Sequence, residues 1–168
     1  MRPDTAQLAS LAAVITEAIA AIERLDARLS EFTASLAAPT PEFRDLAAAA
    51  YLLHNVYCAL ENAFEQISRT FENHIADPAQ WHRELLGKMF LEIPTVRPAV
   101  LPAGLRGFLN DLCGFRHLFR HAYDFQLERE KLNLLTRDWA GGRLELLAAL
   151  TRFRDNLIAR VRTEQAQG

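Results

Sequence analysis

Apolar residues return every three or four positions along most of this chain. Leu8, Leu11, Ile15, Ala18, Ile22, Leu25, Leu29, Phe32 and Leu36 form the first such row, the spacing that draws one apolar stripe down an α-helix. It predicts a helix over residues 4–37 with Asp4 or Thr5 as N-cap. Pro39-Thr40-Pro41 ends that helix, because neither proline donates to a helical ladder and each restricts the residue before it. Thr40 then caps a second helix with Pro41 in its first position, and its stripe runs through Phe43, Leu46, Ala50, Leu53, Tyr57, Leu60, Phe64, Ile67 and Phe71. Two long amphipathic helices joined so closely pack as an antiparallel hairpin about 50 Å long. The sustained heptad spacing also suits a coiled coil between two chains, which leaves dimerisation open.

Asp77-Pro78 repeats the cap-then-proline signal and predicts a shorter helix over residues 78–92. The next run, residues 93–102, holds Pro94, Pro98 and Pro102 and reads as a loop held down by apolar anchors. A fourth helix is expected from Pro102 or Ala103 towards Phe125, with Leu105, Phe108, Leu109, Leu112, Phe115, Phe119 and Ala122 on its apolar face. A fifth runs from near Glu128 to about Arg162 with Leu132, Leu135, Trp139, Leu146, Leu150, Phe153 and Leu157 inward. Gly141-Gly142 should kink or break it, and the residues from Thr163 onward should fray. No strand candidate, repeat or low-complexity segment appears. The class is all-α, an up-and-down bundle of four to five helices in one domain over residues 1–168.

Composition narrows the partners more than the fold. With 50% hydrophobic residues, seven Gly and seven Pro, the chain is neither disordered nor collagen-like. A net charge of −2 excludes a surface coated in basic residues, so any contact with a polyanion is local. Cys58 and Cys113 sit in apolar helical surroundings without metal-ligand spacing and read as free buried thiols. They suit a reducing cytoplasm. Glu17 and regularly returning polar residues interrupt the apolar N-terminus, so no apolar run reaches the roughly 18 residues of a membrane span and a soluble protein is expected.

One stretch departs from this thin spread of charge. Phe115 to Phe125 reads FRHLFRHAYDF and packs Arg116, His117, Arg120, His121, Tyr123 and Asp124 into the fourth helix. Residues seven apart on a helix return to within about 20° of one another, whereas residues five apart diverge by about 140°. Arg116, Arg120 and Tyr123 therefore share one face, and His117, His121 and Asp124 form a neighbouring row. Arg116 and His121 converge only through a kink or across a two-fold axis between protomers. Plainer readings exist for each residue. A histidine on a core-facing helix is commonly a hydrogen-bonded structural group, Arg116 and Arg120 can pair with Asp111, Asp124 or Glu128 on their own helix, and Tyr123 can be a core aromatic. His117, His121 and Asp124 could also hold zinc, a reading weakened by the lack of a second pair of ligands. Glu61 and Asn62, polar residues amid apolar positions of the second helix, are candidates to reach the arginine, although a solvated face explains them nearly as well.

Arg116, His121 and Tyr123 spell R-x4-H-x-Y, and this resembles the signature of HepT-like toxins in the HEPN superfamily of ribonucleases. LHNVYCALENAFEQI at residues 53–67, WHRELL at residues 81–86 and RPAVL at residues 97–101 resemble one HepT-like subgroup as well. The likeness covers about residues 46–139. It implies a dimeric helical bundle that acts as a metal-independent endoribonuclease, the toxin half of a toxin–antitoxin pair. His121 would do the acid–base work and Arg116 would stabilise the phosphate, with His117, Arg120, Glu61 and Asn62 in support. Tyr123 would accept AMP from a minimal nucleotidyltransferase antitoxin, with ATP as the donor for that partner and no cofactor in this chain. Heteromeric assembly with the antitoxin is also implied. Tyr51, Tyr57, Trp81 and His82 are packing residues on their own merits and site-supporting only through the resemblance.

Three functions therefore compete: a ribonuclease toxin, a non-catalytic helical module that binds nucleotide or docks a nucleotidyltransferase, and a structural dimerisation protein. An intact R-x4-H favours the first.

Overall fold

The computed structural model describes residues 3–72, 81–121 and 127–167, without the side chains at positions 121 and 167. Every regular element among them is helical: α1 (Thr5–Ser30), α2 (Thr33–Ala37), α3 (Phe43–Glu72), α4 (Trp81–Met89), a short 3-10 turn (Ala103–Leu105), α5 (Arg106–His121) and α6 (Arg129–Gln167). The expected start of the third helix at Asp77-Pro78 lies outside the described residues.

Asp4 caps α1 as its composition predicts. Its Oδ1 accepts from the Gln7 backbone N–H at 2.8 Å while Gln7 Oε1 accepts from the Asp4 N–H at 2.9 Å, a reciprocal capping box. The first helix is not continuous to Ala37, however. The Ser30 hydroxyl donates to the Ala27 carbonyl at 2.6 Å, and the N–H groups of Glu31 and Phe32 fall back to bonds three residues behind them. That local competition tightens the backbone and ends α1, and α2 then turns Leu36 into the core. The second helix also begins later than expected. Phe43 is its first residue and is 73% exposed, so the inward stripe starts only at Leu46.

Four helices form the frame. The Thr5 hydroxyl donates to Glu164 at 2.6 Å, whereas Asp26 accepts from the Trp139 indole at 2.7 Å and pairs with Arg143 at 3.0 Å. α1 and α6 are therefore antiparallel. α3 packs beside α1 and α5 beside α3, and α6 closes on both α5 and α1, which makes an up-and-down bundle. Leu8, Ile15, Ile22, Leu53, Leu60, Phe64, Leu109, Leu112, Leu146 and Leu150 meet in its core. By length and composition alone α1 is long and apolar enough to cross a membrane, contrary to the expectation that no run approaches that length; here eight of its residues are buried in the bundle.

Gly141-Gly142 does not break α6, which continues to Gln167 through the segment expected to fray. A Cβ on Gly142 would lie 3.2 Å from two ring carbons of Phe108. The glycine lets α5 approach closely, and packing on both sides outweighs the roughly 1 kcal/mol that each glycine costs in a helix.

The loop after α4 does have apolar anchors, since Val100 and Leu101 are buried and both donate to the Met89 carbonyl. Its main fastening is charged. The Arg97 side chain is wholly buried and pairs with Glu72 of α3 at 2.6 Å. It also donates to the carbonyls of Lys88, Leu91 and Pro98. Removing one partner of such a pair strands the other in the interior, so Arg97→Ala should destabilise the fold by about 3–5 kcal/mol in urea denaturation.

Candidate active site

Three helices contribute to one buried polar cluster. On α5 the inward row Leu105, Leu109, Leu112 continues one turn later at Arg116, so an arginine occupies a position where the pattern calls for an apolar residue. On α3 the row Tyr57, Phe64, Ser68 contains Glu61 in the same way, and Glu61 is 7% exposed and Arg116 5% exposed. His82 enters from the first turn of α4, its ring 4.8 Å from that of Trp81.

The three side chains close a triangle. Arg116 Nη2 pairs with Glu61 Oε2 at 2.8 Å, Glu61 Oε1 lies 2.5 Å from His82 Nδ1, and His82 Nε2 lies 3.0 Å from Arg116 Nη1. The tautomer with its proton on Nδ1 satisfies both histidine contacts, one as donor and one as acceptor; this assignment rests on the hydrogen-bond network. Opposite formal charges thus meet inside the bundle, each with a further hydrogen bond, the condition under which a buried ion pair is tolerated. Arg116 Nε is buried with no hydrogen-bond partner among the described residues.

Around the triangle lies a second polar layer. Tyr57 and Cys113 face each other, and burial pushes both the phenol and the thiol above their ordinary ranges. His54, one turn before Cys58 on α3, has its Nε2 3.5 Å from Cys58 Sγ and its ring 5.1 Å from that of Phe119. Burial, reinforced by the positive charges of Arg116 and Arg120, holds the His54 imidazole below its ordinary pKa. Cys113 is buried and Cys58 half-buried, and both are free thiols.

The residues singled out from sequence separate into distinct groups. Glu61 reaches Arg116, so the arginine pairs across helices and not with exposed Asp111 on its own helix. Asn62 does not reach it. One residue further round α3, it is exposed and lines a shallow groove with Ala13 and Glu17 of α1. His117 and Arg120 are exposed on α5. The side chain of His121, together with Tyr123 and Asp124, lies outside the described residues, as does the zinc arrangement that would use them. His82, a packing residue on its own merits and site-supporting only through the resemblance, stands inside the cluster. Its sequence signal was indirect: a carboxylate in an apolar row of α3 must find donors nearby, and a histidine opening the next helix can supply one.

On the other side of α5, a groove of about 360 Å³ runs between α5 and α6. Phe115, Leu132 and Leu135 help line it, Leu118 and Leu134 remain about half exposed, and Arg83, Asp111, Glu128, Lys131 and Asp138 rim it with charges of both signs.

The family model for HepT-like proteins matches residues 48–157, a span that contains Glu61, His82 and Arg116 and extends further along α6 than the likeness at residues 46–139. No curated protein and no solved structure matches the chain.

Two measurements check the cluster. Glu61→Ala leaves a buried guanidinium without its counter-charge and should lower stability by about 3–5 kcal/mol in urea denaturation. The second concerns pH. With the folded pKa of His54 below its ordinary 6.5, the unfolded chain binds more protons in the window between the two values. Stability is then complete above 6.5 and falls as pH drops through that window. His54→Gln should flatten this acid limb in denaturation series between about pH 5 and 7.5.

Proposed function

The chain belongs to the HepT-like protein family, and on that premise we propose that it is the toxin component of a toxin–antitoxin pair, a metal-independent endoribonuclease of the HEPN type acting in the cytoplasm. The observation that carries the reading is the guanidinium of Arg116, held on two of its nitrogens by Glu61 and His82 with Nε unpartnered among the described residues. A group fixed in this way is preorganised for charge that develops on a phosphate during reaction.

RNA supplies its own nucleophile. The ribose 2′-oxygen attacks the adjacent phosphorus, the bond to the 5′-oxygen breaks, and His121 moves the proton that this exchange requires. Arg116 stabilises the negative charge on the non-bridging oxygens. Exposed Arg120 adds positive charge along α5. No metal or organic cofactor takes part.

Position 121 is five residues beyond Arg116 on the same helix, and positions five apart on a regular helix diverge by about 140°, which supports a site completed by a second protomer. The groove between α5 and α6, apolar at its base and rimmed by both signs of charge, is the surface through which such a homodimer would form. Regulation runs through Tyr123, to which a nucleotidyltransferase antitoxin transfers AMP from ATP; the added phosphates compete for the arginines and keep RNA out. Further assembly of dimers with that enzyme accompanies the modification.

One observation favours a second reading. Arg116 is 5% exposed and already paired with a carboxylate, an arrangement that also serves a non-catalytic helical module that binds nucleotide or docks a nucleotidyltransferase.

Purified protein in EDTA should cleave RNA, and Arg116→Ala or His121→Ala should each abolish cleavage. Mixing the two inactive variants should restore about a quarter of wild-type activity, because half the dimers are mixed and each mixed dimer has one intact composite site. Wild-type protein that never cleaves would leave the docking module as the better account, and loss of activity on chelation would revive zinc. Tyr123→Phe should yield a toxin that the antitoxin cannot modify; labelling of that variant by the partner would contradict the assignment.

A further inference from the structure

We infer that His82 is a positioning residue for Arg116, setting the roll of the guanidinium about its ion pair with Glu61. The inference rests on the reading of Arg116 as the phosphate-stabilising group.

An arginine held by one carboxylate contact keeps rotational freedom about that contact. Here the closest approach of Glu61 is to Nη2, at 2.8 Å, and one such contact does not by itself fix the plane of the guanidinium. His82 Nε2 takes Nη1 at 3.0 Å from a different helix, and two acceptors at two nitrogens do fix the plane. His82 is itself held at both faces of its role. Its Nδ1 is anchored by the other Glu61 oxygen at 2.5 Å, and its ring rests edge-to-face against Trp81. Each member of the triangle orients the other two.

Stability alone explains the triangle poorly. Apolar side chains of similar volume commonly replace a buried ion pair with no loss of stability, and α3, α4 and α5 already share an apolar core. What apolar packing cannot supply is a guanidinium in one orientation.

Two substitutions separate positioning from packing. His82→Gln loses the ring but spans a donor and an acceptor at nearly the imidazole separation, so it can bridge Glu61 and Arg116. His82→Phe keeps a ring against Trp81 and offers neither group. In the full-length chain with labelled nitrogen, NMR reads the Arg116 guanidinium directly, its signals assigned by their loss in Arg116→Lys. Wild type and His82→Gln should show separate, slowly rotating Nη signals, and His82→Phe should merge them. In RNA cleavage, His82→Phe should lower kcat about tenfold or more with KM changed less than about threefold, and His82→Gln should recover to within about threefold of wild type. A packing role gives the reverse order, with phenylalanine at or above glutamine, and overturns the inference. So does an unchanged guanidinium spectrum in His82→Phe. If wild type does not cleave RNA, the ribonuclease reading fails while the spectra still decide whether His82 orients Arg116. If the phenylalanine variant does not fold, merged signals in His82→Gln overturn the inference and separate signals support it.

Discussion

A guanidinium shut away from water dictates much of this bundle. Arg116 cannot remain in the interior alone, so α3 must present a carboxylate opposite α5, and Glu61 must find a second donor for its remaining oxygen. His82 supplies that donor and ties α4 to α3. Glu72 repeats the device further along. Eleven residues after Glu61, it lies three turns on and within about 20° of the same face of α3, where it pairs with Arg97 and Lys88. Two carboxylates on one helix face thus fasten the short helix at both ends, together with the proline-rich loop behind it. The long helices α1, α3, α5 and α6 are held chiefly by apolar burial. α4 is held by charge as well, in addition to its buried Leu85, Leu86 and Met89.

That division explains what was legible in the sequence. Apolar rows at three-and-four spacing located α1, α3, α5 and α6, because burial of a continuous stripe is what forms those helices. Interruptions were read less well. Ser30 ends α1 through one hydroxyl bond to a carbonyl, a choice that periodicity does not record. Gly142 looked like a break but is a close contact with Phe108, since a glycine missing from a stripe gives no sign of what lies opposite. The loop at residues 93–102 was expected to rest on apolar anchors, and only the partner of Arg97 on α3 reveals the charge as a buried anchor.

The site followed the same rule. Arg116 stood out for the density of polar groups around it and Glu61 as a polar residue amid apolar positions, and the structure joins them at 2.8 Å. Asn62 interrupted the same helix and faces α1 instead, because a single residue turns the side chain by about 100°. His82 carried no periodic signal of its own, being defined by the two groups it touches. Its place in the cluster also ties function to fold: the interactions that fasten α4 are those that orient the proposed phosphate-binding group.

The central claim is that the geometry of this clamped guanidinium, and not merely its positive charge, serves reaction with RNA. The most direct test is single-turnover cleavage of RNA in EDTA by Arg116→Lys, which retains the charge but cannot reach Glu61 and His82 together in a planar fork. The account predicts a folded protein with cleavage reduced at least about a hundredfold. Cleavage at the wild-type rate would contradict it.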